Sequence, residues 1–68
     1  MKLLVTGSAG HLGEALVRSL REQDHEVIGL DRLASPFTDV QGSITDASLV
    51  ARCLRGVDAV LHTATLHK

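Results

Sequence analysis

Tyrosine and tryptophan are absent from this 68-residue chain, and phenylalanine occurs once, at Phe37. With no phenol available, chemistry that needs a tyrosine as acid, base or nucleophile is excluded from these residues. Cysteine also occurs once, at Cys53, which excludes an internal disulfide and agrees with a reducing compartment, so the cytoplasm is the expected location. The apolar run Leu3-Leu4-Val5 is far too short to cross a bilayer and is not followed by a signal-peptide cleavage pattern. A net charge of only −1 gives no bulk attraction to nucleic acid or to an anionic membrane, and neither is expected as a partner.

What is present is the balance of an ordinary globular protein, 44% hydrophobic and 22% charged residues. A chain of this size has room for one small domain, which buries about 60% of its unfolded surface. No linker, internal repeat or low-complexity tract divides it.

Strand and helix signals alternate along the chain. Lys2 to Thr6 is a continuous apolar run ended by Gly7, the pattern of a parallel strand covered on both faces. From His11 to about Gln23, Leu12, Leu16 and Leu20 recur at helical spacing, flanked by Ala15 and Val17, while Glu14 and Arg18 stand four apart in the favourable order for an ion pair. After the polar turn Gln23-Asp24-His25, residues 26–31 form a second apolar strand that ends on Asp31, and a loop over Arg32 to Pro36 leads to a weaker third strand, Phe37 to Gln41. Thr45 or Asp46 can cap a second helix whose Leu49, Val50, Cys53 and Leu54 share a face, with Gly56 as its stop. Asp58 to Thr63 is the fourth strand. This order, β1-α1-β2-β3-α2-β4, demands a parallel sheet with right-handed crossovers and strand order 3-2-1-4. That is the first half of a doubly wound α/β sheet of the Rossmann type, and residues 1–68 are expected to be the amino-terminal, incomplete part of such a domain.

The segment Thr6-Gly7-Ser8-Ala9-Gly10-His11-Leu12-Gly13 sets three glycines three residues apart between a strand and a helix. A helix start offers unpaired N–H groups and a positive dipole end, and so receives a pyrophosphate if no side chain stands in the way. Gly7 permits the tight turn, Gly10 the close approach of phosphate oxygens, and Gly13 the packing of helix on sheet. Glycines can also simply punctuate a strand-to-helix turn. Against that bland alternative stands Asp31, 18 residues beyond Gly13 at the end of the second strand, close to the spacing of an acid that binds the adenosine ribose. A carboxylate there accepts from both ribose hydroxyls and repels a 2′-phosphate, which favours NAD. Arg32 beside it keeps NADP open, or is a solvated loop charge. The four histidines, His11, His25, His62 and His67, show no metal-ligand spacing; His11 either touches a phosphate or is solvated, and His62 is expected to order the end of the fourth strand. S-adenosylmethionine-dependent methyltransferases also open with a glycine loop and an acid after strand 2, but with Gly-x-Gly spacing that Gly7 and Gly10 do not give.

With these residues in place, the chain resembles the amino-terminal part of the extended short-chain dehydrogenase/reductases, the NAD-dependent epimerase/dehydratase group. Thr-Gly-x-x-Gly-x-x-Gly is matched at Thr6 to Gly13, with His11 and Leu12 where that family often has an aromatic followed by Ile or Leu. The resemblance implies an adenine contact from the residues after strand 3, here Ser43-Ile44, although Ser43 replaces the family's usual acid and Asp46 is the nearest carboxylate. It also implies that Thr63, Ala64 and Thr65, at the end of a strand 4 resembling the family's His-x-Ala-Ala, flank the pyrophosphate and nicotinamide ribose. The family's Tyr-x-x-x-Lys pair is missing, and the only lysines are Lys2 and Lys68, so no catalytic residue is assigned. The implied function is the NAD(P)-binding portion of an oxidoreductase or epimerase acting on a small molecule, with a homodimer open to the full-length protein. A non-catalytic NAD(P)-sensing module is the alternative, and the methyltransferase a more remote one.

Overall fold

A computed structural model describes residues 1–63. Its elements are β1 (Lys2–Thr6), α1 (His11–Glu22), β2 (Glu26–Asp31), β3 (Val40–Gln41), α2 (Ala47–Cys53) and β4 (Ala59–His62). The four strands form one sheet in the order β3-β2-β1-β4, and every neighbouring pair is parallel. β1 lies at the centre, with Val5 opposite Gly29 on one side and Leu61 on the other.

Side chains alternate across a strand, so neighbouring residues of β1 feed two separate cores. Leu4 joins Leu30 and Cys53 on the α2 face, with Ile28, Val40, Ile44, Leu49, Val50 and Val57 packed around them. Val5 joins Val17 and Val27 on the α1 face, with Leu20, Phe37 and Leu61. Helices on both faces explain why β1 is apolar without a break: neither side of it meets water.

Several local expectations change in the folded chain. Helix α1 turns Gly13, Val17 and Leu20 inward rather than the Leu12–Leu16–Leu20 row, and Leu12, on the side of the first turn away from the buried Gly13, is 64% exposed. The Glu14–Arg18 pair does not form; the ion pairs among the described residues are Lys2–Glu26 and Arg21–Asp39. The third strand is two residues long instead of five. Thr38 N donates to Ser35 O at 3.1 Å, so segment 35–38 turns back over β2 instead of pairing beside it, and the chain rejoins the strand only at Asp39, whose N donates to Gly29 O at 2.9 Å and whose carboxylate accepts from Gly29 N at 2.8 Å. A side chain at Gly29 would collide with the Phe37 carbonyl, and its absence is what lets this segment cross so closely. Helix α2 is capped by Asp46 and not Thr45, and Leu54 falls outside its buried face at 42% exposure. Gly56 ends that turn in the left-handed region at φ 69°, as the glycine stop requires.

Candidate functional site

Parallel strands bring their carboxyl ends to one rim of the sheet, and the glycine loop leaves β1 there. Gly7 turns the chain at φ 79°, a conformation that other residues adopt only under strain, and its N–H donates to Leu30 O of β2 at 2.8 Å. The Gly7 carbonyl accepts from Gly10 N at 3.0 Å and abuts Gly13. A Cβ on Gly13 would lie 2.6 Å from the Gly7 carbonyl carbon and 2.9 Å from Thr63 Oγ1, so the start of α1 is seated on the loop with no room for a methyl group.

Gly10 differs. It is exposed, its φ of −81° and ψ of 165° suit any residue, and a Cβ there would stand 3.4 Å from the Gly7 carbonyl oxygen, an ordinary contact. The fold therefore does not require a glycine at this position. Gly10 is also the N-cap of α1 and supplies no side-chain hydrogen bond to the helix, whose first intrahelical bond is Glu14 N to Gly10 O at 2.8 Å. The first-turn amides of His11, Leu12 and Gly13 precede that bond, and His11 and Leu12 are exposed. A helix start without a cap beside an absent side chain is a shallow cradle of N–H donors.

Asp31 faces this cradle. Its Oδ2 accepts from Ala9 N, inside the glycine loop, at 3.0 Å, and its Oδ1 accepts from Leu33 N at 2.9 Å. Two amides thus fix the half-buried carboxylate while leaving each oxygen a further lone pair. From the far side of β1, Thr63 Oγ1 donates to Thr6 O at 2.6 Å, and Thr6 Oγ1 is 2.6 Å from His62 Nδ1, which orders the end of β4.

The fold thus gathers Gly7, Gly10, His11, Leu12, Gly13, Asp31 and Thr63 at one rim. Arg32 is there too, exposed and without an ion pair among the described residues. Ser43 and Ile44 follow β3 at the same rim, where Gly42 N donates to Asp31 O at 2.8 Å. Their side chains are otherwise employed: Ser43 Oγ accepts from Thr45 N at 3.1 Å in the turn before α2, and Ile44 packs into the core beside Leu4. Ala64 and Thr65 lie outside the described residues. Ser8 escaped sequence reasoning. It is fully buried within the glycine loop, 2.9 Å from Thr38 Oγ1, and a partner 30 residues away in an irregular segment leaves no periodic signal.

The family model for the NAD dependent epimerase/dehydratase family matches residues 3–68. The chain belongs to that family. The chain is 41% identical over 71 residues to a 3-beta-hydroxysteroid dehydrogenase of Mycolicibacterium neoaurum, an alignment covering 96% of this chain and 19% of that protein. Among solved structures, it is similar to a short-chain dehydrogenase/reductase superfamily protein from Agrobacterium tumefaciens with bound NAD (TM-score 0.87, 38% identity, 100% of this chain and 21% of that one). It is also similar to MoeE5 in complex with UDP-glucose and NAD (TM-score 0.83, 35% identity, 97% of this chain and 23% of that one). The chain therefore spans about a fifth of the length of these relatives.

Proposed function

We propose that this epimerase/dehydratase chain holds the adenosine diphosphate end of NAD, as the cofactor-binding portion of an oxidoreductase or epimerase. The observation that carries this reading is Gly10: an exposed glycine that neither backbone conformation nor packing requires, at the open start of α1. What needs the missing side chain is a ligand. The amides of the α1 first turn donate to the pyrophosphate oxygens there, and the helix dipole favours their charge. Asp31 accepts from the 2′- and 3′-hydroxyls of the adenosine ribose with the lone pairs that Ala9 and Leu33 leave free, and a 2′-phosphate meets a fixed negative charge instead. Bound NAD supplies a hydride acceptor; these residues bind and orient it, and the acid and base of the reaction come from elsewhere.

The NAD in the Agrobacterium tumefaciens structure and in MoeE5 supports the choice of cofactor. A small-molecule substrate, a homodimeric assembly and a cytoplasmic location complete the proposal, and the lone free thiol, Cys53, agrees with a reducing compartment. Titration calorimetry of the intact gene product with NAD, NADP and S-adenosylmethionine tests it. NAD is expected to bind with a Kd on the order of 1 μM to 1 mM, the range in which enzymes hold their substrates, and S-adenosylmethionine not at all. Heat with S-adenosylmethionine and none with NAD would reverse the assignment.

A further inference from the structure

Ser8 has no exposed surface, although it lies inside the loop assigned above to the pyrophosphate. Its hydroxyl is 2.9 Å from Thr38 Oγ1, which is 2.8 Å from Ser35 Oγ, and Ser35 Oγ accepts from Phe37 N at 3.2 Å. Burial sets the direction of this chain. The enclosed Ser8 proton needs an acceptor and finds one in Thr38; Thr38 then donates to Ser35, which is only half-buried and can send its own proton to water. Three hydroxyls therefore tie the glycine loop to the connection between β2 and β3.

That connection begins at Asp31, and it is fastened along its length. Leu33 N holds Asp31 Oδ1 at the start, Gln41 Nε2 donates to Arg32 O at 3.1 Å, and at the end Asp39 exchanges hydrogen bonds with both Gly29 N and Gly29 O. Arg21 Nη2 grips the same Asp39 carboxylate at 2.9 Å. The Ser8–Thr38 link joins the last part of this connection, one residue before Asp39, directly to the glycine loop. With it made, the Thr38 end of the connection cannot leave the glycine loop without breaking a part-buried hydrogen bond.

We propose that Ser8 and Thr38 are positioning residues that keep the β2–β3 connection closed against the glycine loop, and that this closure sets the discrimination of NAD against NADP. The inference rests on the cofactor reading given above. When the link is cut, the connection relaxes outward, Asp31 loses its fixed orientation toward the ribose, and Arg32, exposed and free of an ion pair among the described residues, can reach a 2′-phosphate.

Kd values for NAD and NADP, measured on the intact gene product for wild type, Thr38→Val, Thr38→Ser and Ser8→Ala, test this. Thr38→Val is expected to lower the preference for NAD over NADP about fivefold, within the range of couplings between contacting residues, and Thr38→Ser to keep it. Ser8→Ala, which leaves Thr38 its bond to Ser35 and so puts less strain on folding, is expected to shift the ratio in the same direction. General destabilisation weakens both cofactors alike, so an unchanged ratio in Thr38→Val and Ser8→Ala overturns the proposal. If wild type binds neither dinucleotide, the cofactor reading falls and takes this one with it; if wild type prefers NAD and the ratio does not move, only this one falls.

Discussion

The two helices among the described residues begin in opposite ways. Helix α2 starts on Asp46, whose carboxylate accepts from Leu49 N at 3.1 Å and closes the helix end with the chain's own atoms. Helix α1 starts on Gly10, which has no side chain to offer. A self-capped start serves stability, because an unsatisfied amide is costly and a cap recovers about 1 kcal/mol. The glycine start of α1 gives up only a few tenths of a kcal/mol of that, and it lies against the glycine loop and faces Asp31. It lies where the proposed pyrophosphate contact needs free donors.

The most disruptive way to break this contrast is to disturb the seat of α1. Gly13→Ala drives a methyl group into the Gly7 carbonyl and Thr63. It is expected to cost about 3 kcal/mol by overpacking. Chemical denaturation reads this directly, and a midpoint equal to wild type would mean that the loop is looser than its geometry.

A sharper intervention makes α1 resemble α2. Gly10→Asp supplies the missing cap and is expected to raise the midpoint of thermal unfolding slightly, since Asp improves on Gly at an N-cap by only a few tenths of a kcal/mol. The same carboxylate stands where phosphate oxygens are proposed to lie, so the Kd for NAD is expected to rise about thirtyfold, roughly 2 kcal/mol of charge repulsion and lost donors. Calorimetry that finds tighter or unchanged NAD binding in this variant removes the phosphate from the start of α1. The smallest effect is expected at the other helix. Asp46→Ala should lower stability by about 1 kcal/mol and leave the NAD affinity of the folded protein as it was, which denaturation and calorimetry on the same sample separate.

Much of this contrast is legible in the sequence, and the reasons are local. Apolar runs at Leu3-Leu4-Val5 and Ala59-Val60-Leu61, the helical spacing that fixes the existence of α1 though not its inward row, the glycine triplet and Asp31 at the end of an apolar strand all write themselves into short windows. What stays hidden depends on distant parts of the chain. Gly29 reads as an unremarkable member of β2, yet its lack of a side chain admits segment 37–39, which shortens β3 and puts Phe37 on the α1 core. Leu12 follows the helical period faithfully, but periodicity cannot reveal that Gly13, with no side chain, takes the inward place in the first turn of α1. Ser8 and Thr38 meet only because a loop folds back, and no spacing rule connects positions 8 and 38.

All four strands run the same way, and this divides the labour of the molecule between its two ends. At one end stand the proposed ligand contacts; at the other lie the turn through Asp24, held at φ 64°, and the turn through Gly56. A peptide graft, a fluorophore or a crosslinker placed at either of these turns sits a full strand length from the proposed dinucleotide site, which makes them natural attachment points for watching binding without touching it.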